Sequence, residues 1–266
     1  MTDAAGRIPG PRLQSVEIVT PALREDCWAT HDHLDHELLS SITGVVTVTT
    51  AHAVFVVPRG AAIWIPALTA HDVRASPGNA MRCTWFLRGA VPDALALPTV
   101  LTCSPLLDDV LTHLDDEYAD LQRAPERRAR AEAFALDLLS LGARPDAGLP
   151  QPRSPWLRVV TTALAASPGD DRTVEEWARS CAVSTRTFTR RFRDETGESF
   201  SRWRSRLRMQ AAMAALAAGA PVAAVARRVG YDSAAAFSTA FREVAGVSPR
   251  TFAVGRRDDR FAKEVD

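Results

Sequence analysis

The sequence predicts an α+β chain of two domains: a β-rich N-terminal half with a helical extension, and an all-α C-terminal domain. The second is expected to hold two helix–turn–helix units joined by a long helix. Three observations predict this. The pattern up to about Leu87 is β-branched and punctuated by turn residues, helical periodicity takes over from Ser104, and the last third contains a repeat offset by 49 residues.

The strand-like stretches are "GVVTVTTAHAVFVVP", "AAIWIP" and "RCTWFL", rich in Val, Ile and aromatics and bounded by Gly and Pro. They predict a small β-barrel over residues 1–100. From Ser104, Leu107, Val110, Leu111, Leu114, Tyr118 and Leu121 recur at three- and four-residue steps, an amphipathic helix. A second helix is predicted over Glu126 to Leu141. The stripe must be buried against its own barrel or a partner chain, and a partner is the favoured reading, so 101–143 is expected to be a dimerisation segment. "ARPDAGLPQPRSP" then reads as an interdomain linker over 144–155, leaving 156–256 to helices and short turns.

Composition sets the outer limits. The 266 residues are 46% hydrophobic and 24% charged, and no apolar run is long enough to span a membrane. The N-terminus lacks the basic and apolar segments of a secretion signal. Cys27, Cys83, Cys103 and Cys181 show no paired spacing and read as reduced thiols, an expectation of a cytoplasmic protein. The net charge of zero hides a split. Residues 1–152 hold 12 basic and 19 acidic side chains, and residues 153–266 hold 20 and 13. A basic module that touches a polyanion beside an acidic one explains this; merely solvated arginine-rich helices are the bland alternative.

The repeat gives the basic half its shape. "STRTFTRRFRDETGES" from Ser184 and "SAAAFSTAFREVAGVS" from Ser233 both spell S-x3-F-x3-F-R-x3-G-x-S. Thr173 with Glu176 predicts a capping box opening the first helix, and Ser184 caps the next. Ala178 with Ala182, and Ala226 with Gly230, are small where two helices cross and the chain turns. Phe188 and Phe192 face inward, which leaves Arg186, Thr187, Thr189, Arg190 and Arg193 outside, where guanidinium groups can grip guanine edges or phosphates. The second unit exposes Ala234, Ala235, Ala236, Ser238 and Thr239 and can read bases only weakly. Ser184, Arg186, Thr187, Thr189, Arg190, Arg193, Ala235, Ser238 and Thr239 are therefore the candidate contacts with double-stranded DNA. Between the units, "SFSRWRSRLRMQAAMAALAAG" reads as one long helix, placing two recognition helices about one DNA turn, ~34 Å, apart.

These tandem units and the closing "GYDSAAAFSTAFREVAGVSPRTF" resemble the DNA-binding domain of AraC/XylS-family transcriptional regulators, over roughly residues 155–254. The resemblance implies a homodimer on an operator, an N-terminal domain that senses a small molecule, and RNA polymerase as a partner where the protein activates.

The N-terminal half carries a second signal. "HDHLDHELLSSITG" fits H-x-H-x3-E-x6-G at His31, His33, Glu37 and Gly44, and "GAAIWIPALTAH" fits G-x5-P-x4-H at Gly60, Pro66 and His71. Both resemble cupin motifs, with Glu25, Leu68 and Ala75 at positions where those motifs carry Gly, Gly and Asn. The resemblance implies a cupin-like barrel and a three-histidine, one-carboxylate site at His31, His33, Glu37 and His71 for a divalent transition metal: Zn, Ni, Fe or Mn. His31 and His33, two apart on a strand, would share a face. The phrase W-I-P-x4-H further resembles the regulators that sit beside efflux-transporter genes. Three readings of the cluster stay open: a metal that holds or senses an effector, metal-free histidines lining an effector pocket, and catalysis. The expected whole is a ligand-responsive transcription factor and not an enzyme. The alternative is a cupin metalloenzyme with an accessory nucleic-acid-binding module.

Overall fold

The computed structural model describes residues 12–19, 26–77, 79–89, 91–116, 124–144 and 147–254. The chain divides into two compact units, Met1–Gln151 and Pro152–Asp266.

The first unit holds eleven described strands: β1 (Arg12–Val19), β2 (Asp26–His31), β3 (His36–Thr43), β4 (Val45–Thr50), β5 (Ala53–Pro58), β6 (Ala61–Ile65), β7 (His71–Ala75), β8 (Ala80–Leu87), β9 (Thr99–Thr102), β10 (Ala143–Arg144) and β11 (Leu149–Pro150). Two α-helices accompany them among the described residues, α1 (Pro105–Asp116) and α2 (Pro125–Leu141). The strands form two antiparallel sheets, ordered β1-β8-β3-β6-β9-β10 and β11-β5-β4-β7-β2. Among the described residues no ladder joins the sheets, and the two share a core. Leu39, Ile63 and Ile65 of the first sheet pack against Val46, Val48, Val57 and Val73 of the second.

The first sheet is covered on both faces, which is why β6 reads as a continuous apolar run. Alternation along β6 sends Ile63 and Ile65 to the other sheet, while Ala62 and Trp64 join Leu38 and Phe86 beneath the helices. Leu107, Leu111 and Leu114 of α1 close that second core with Ala135 and Leu139 of α2. The stripe expected to meet a partner chain is therefore core of its own unit; its continuation at Tyr118 and Leu121 lies outside the described residues.

The expected linker also differs. Leu149 and Pro150 pair with Val54 and Ala53, the Gln151 N–H donates to the His52 carbonyl at 2.7 Å, and Leu149 is buried. A proline is tolerated there because β11 is the sheet's edge, where a missing N–H costs no ladder bond.

The second unit is helical: α3 (Pro155–Ala166), α4 (Val174–Ser180), α5 (Thr185–Thr196), α6 (Phe200–Ala217), α7 (Val222–Arg228), α8 (Ala234–Ala245) and α9 (Pro249–Val254). Five of the six fixed positions of the repeat have a structural job; the arginine is the exception. Ser184 and Ser233 cap α5 and α8, accepting from the N–H groups of Thr187 and Ala236. Phe188, Phe192, Phe237 and Phe241 are fully buried. Gly197 and Gly246 end the helices in the left-handed region, and Ser199 and Ser248 cap α6 and α9. Among the described residues no helix is long and apolar enough to cross a membrane.

Candidate functional site

In the second unit, α4 and α5 are set by their caps. Thr173 and Glu176 exchange the two bonds of a capping box at 3.2 and 2.7 Å. Ala178 is buried at the crossing, and Ala182 takes the turn at φ 54°, a left-handed conformation usually left to glycine. The buried Phe188 and Phe192 stack at 6.1 Å and fix the roll of α5, so Arg186, Thr189, Arg190 and Arg193 face out.

The neighbouring arginines are engaged. Arg202 and Arg206 pair with Glu198 at 3.5 and 2.8 Å, Arg191 approaches Glu195 at 3.9 Å, and Arg204 donates to the Arg172 carbonyl at 2.7 Å. Arg186, Arg190 and Arg193 form no ion pair or side-chain hydrogen bond among the described residues, leaving their donors for a ligand. The hydroxyls are less free. Those of Ser184 and Thr187 meet at 2.9 Å, and that of Thr189 donates to the Thr185 carbonyl at 3.0 Å. On α8, Ser238 donates back to Ala234 at 2.7 Å, while Ala235 and Thr239 are exposed.

In the first unit the structure brings together three of the four candidate metal ligands. One ligand atom each from His33, Glu37 and His71 lie within 4.8 Å of one another. Glu37 sits in mid-sheet on β3, opposite Ile65 and Trp85, and its carboxylate is 3.3 Å from His33 Nε2 and 3.6 Å from His71 Nε2. The strand-face expectation for His31 and His33 is not met. β2 ends at His31, and residues 32–35 carry the chain across to the other sheet, so His33 lies in the connection and not on the strand. His31 is exposed and outside the converging group, although its ring lies 4.5 Å from that of His71.

The proton arrangement is set by the backbone. Nδ1 of His33 and of His71 lie 2.6 and 2.8 Å from the carbonyls of Asp35 and Thr69; a carbonyl only accepts, so each Nδ1 carries a hydrogen. Both Nε2 atoms are then aimed at one buried carboxylate with no hydrogen-bond partner of good geometry. Burial alone would raise the Glu37 carboxyl, but the His33 and His71 imidazoles beside it, and Cys83, outweigh it and hold it at about 2. Burial likewise opposes protonation of His33, yet Glu37 and the Asp35 carbonyl carry its pKa above the ordinary imidazole value. Either protons on the imidazoles or a cation between the three groups relieves this arrangement.

Leu68, at the motif position that carries glycine elsewhere, adopts φ 62° and donates its N–H to the His33 carbonyl at 2.8 Å. His36 faces the opposite side of the sheet, stacked on Trp64 at 5.2 Å. Sequence reasoning missed Cys83, and Trp85, whose ring meets His33 edge-on at 4.8 Å. The alternation C-x-W in "RCTWFL", on a strand paired with β3, is the signal that places both beside Glu37.

A helix-turn-helix domain family matches residues 177–254. The chain is 31% identical over 222 residues to the HTH-type transcriptional regulator NimR of Escherichia coli K12, covering 82% of this chain and 80% of that protein. It is 38% identical over 112 residues to the HTH-type transcriptional regulator RipA of Corynebacterium glutamicum, covering 42% of this chain and 33% of that protein. A putative AraC-like transcription regulator of Streptomyces antibioticus is 36% identical over 96 residues, 36% of this chain and 32% of its own length. These relatives are regulators, which sets aside the metalloenzyme alternative. The long match to one regulator, with the DNA-binding module shared by the others, establishes that the chain belongs to the AraC-like family of helix-turn-helix transcriptional regulators.

Proposed function

We propose that this DNA-binding regulator responds to a divalent transition metal, or to an effector assembled on one, held in its N-terminal unit by His33, Glu37 and His71. The observation that carries the reading is the pair of buried, unpartnered Nε2 atoms facing a buried carboxylate. Histidines whose Nδ1–H is anchored on a backbone carbonyl are oriented as metal ligands, and the donor set of two imidazoles and one carboxylate suits Zn, Ni, Fe or Mn. When bound, the ion supplies a positive charge and coordination positions for an effector, with no turnover attached. His31 stays beside the site and is not one of the proposed ligands.

The operator is read by Arg186, Arg190 and Arg193 of α5, with α8 on the second half-site. The resemblance of the tandem units to AraC/XylS-family regulators extends the proposal to a homodimer, which must use a surface other than the buried face of α1. The W-I-P-x4-H phrase extends it to control of a neighbouring transporter gene, with RNA polymerase as a partner in activation and the cytoplasm as the place of action.

The test is elemental analysis of full-length protein purified without chelating resin, beside His33→Ala and His71→Ala. Near-stoichiometric metal in the native protein, lost in both variants, supports the site. No metal, with no change in melting temperature on adding Zn, Ni, Fe or Mn ions, sinks it.

A further inference from the structure

We infer that Arg208, midway along α6, is the positioning residue that fixes the separation of the two recognition helices, so that the domain accepts its two half-sites at one spacing. The inference rests on the DNA-binding reading of α5 and α8.

Each recognition helix is held in its own unit by its own aromatic group. Phe188 and Phe192 meet Phe200, and Phe192 also meets Trp203, at 5.2–5.6 Å. Phe237 and Phe241 meet Tyr231 and Phe252 at 5.7 and 5.3 Å. These groups fix each helix locally, and α6, which packs against α5 as well as against α7, α8 and α9, sets the distance between them. A side chain bonded to both units braces that distance against bending and sliding.

Arg208 touches both. Its Nε donates to the Pro168 carbonyl and its Nη2 to the Asp170 carbonyl, each at 3.0 Å, in the loop that leads into α4. Its Nη1 reaches the Gly230 carbonyl at 3.4 Å, in the turn between α7 and α8. A planar guanidinium with a rigid fork of donors can hold three carbonyls from two segments at once; an ammonium presents a single nitrogen.

The two segments are also in backbone contact. A Cβ at Gly169 would lie 2.6 Å from the Arg228 carbonyl oxygen, and one at Gly230 would lie 2.8 Å from Arg208 Nη2 and 3.1 Å from the Gly169 oxygen. No side chain fits between them. The loop is tied onward to the first unit: Arg172 pairs with Asp170 at 2.7 Å and lies 3.5 Å over the Trp177 ring of α4. From Gly230 only three residues lead to the Ser233 cap of α8. Short contacts centred on Arg208, with the backbone approach of Gly169 beside them, thus tie the loop before α4 to the turn before α8.

The consequence concerns DNA geometry. One added base pair turns the second groove by roughly 35° and moves it by ~3.4 Å, so a braced domain must lose contacts at one half-site. An unbraced one can follow.

The test begins with full-length native protein selecting duplexes from a random pool. Kd is then measured by anisotropy at fixed salt on the selected duplex and on versions with one or two base pairs inserted or removed between half-sites. The native protein is expected to lose about tenfold or more per base pair, and Arg208→Met about threefold or less. An equal loss in both proteins overturns the inference, as does uniform weakening at every spacing. Should Arg208→Met fail to melt cooperatively, Gly169→Ala decides, since its Cβ wedges the two backbones apart with the arginine intact. A shifted or flattened spacing profile supports the brace, and an unchanged profile overturns it. Amide exchange supplies a readout without DNA: residues 169–172 and 229–231 should exchange about tenfold faster in Arg208→Met, with the helix cores unchanged. If no duplex is selected, the DNA reading fails and exchange alone decides the brace.

Discussion

Arg186 and Arg190 project from α5 beside residues whose polar groups are already committed, and that contrast predicts how mutations will sort. Each arginine to alanine should cost about 1–3 kcal/mol of operator binding and relax base preference, because a bidentate pair to a base edge carries discrimination of that size. Ser238→Ala should change little, since the Ser238 hydroxyl is bonded to the Ala234 carbonyl. Anisotropy titrations at one salt concentration measure both. These outward positions were legible in the sequence because the two phenylalanines fix the helix face. The histidines were legible only in part. The spacing of His33, Glu37 and His71 survives folding, whereas the inference that His31 and His33 share a strand fails because the chain leaves the strand between them. Ala182 and Leu68, both where related motifs carry glycine, adopt left-handed conformations all the same. Each stores strain of roughly 1 kcal/mol that the surrounding contacts must outweigh.

Among the elements, α1 shows why a stripe cannot name its own partner. Periodicity predicts that Leu107, Leu111 and Leu114 are buried; only the three-dimensional arrangement shows that α2 and the first sheet bury them. Leu111→Glu is therefore expected to destabilise the first unit by roughly 4 kcal/mol or more, as an unpaired charge enters the core, rather than to yield folded monomers. Thermal melting with sedimentation checks this, and a folded variant with native melting temperature would return the stripe to an interface. α3 supplies a pH-dependent case. Its start is capped from outside by Glu195 of α5, which accepts from the N–H groups of Arg153 and Ser154 at 2.7 and 2.8 Å. Burial pushes the carboxyl up, but bonds from Ser154 and Arg153 outweigh it and hold it below its ordinary value of 4.5. A depressed carboxylate stabilises the fold above that value and loses its contribution as the pH falls through the folded pKa. Glu195→Gln should be less stable than native protein at neutral pH, with the gap closing under acid, as melting between pH 7 and 3 will show. The segment 144–155 misled for a related reason: its Pro and Gly content hides three edge-strand residues, Arg144, Leu149 and Pro150.

At the scale of the whole molecule, the α+β division and the tandem helical units were readable because each rests on a repeated local rule: alternation, cap, turn and paired phenylalanine. The charge asymmetry follows the same boundary, with the basic excess in the residues that form the helical unit. Contacts between segments far apart in sequence were not readable; Arg208 ends a run of alternating arginines at 202, 204, 206 and 208, and nothing in its neighbours marks it. The alanine face of α8 carries a consequence for descent. Phe237 and Phe241 hold that helix from behind, while residues 234, 235, 236 and 239 are exposed and make few commitments. Substitutions there should cost within ~0.5 kcal/mol of stability yet add new hydrogen-bonding groups to the groove. After gene duplication, copies of this regulator can part company through that face first, acquiring separate sets of target genes while the fold and the first half-site stay as they were.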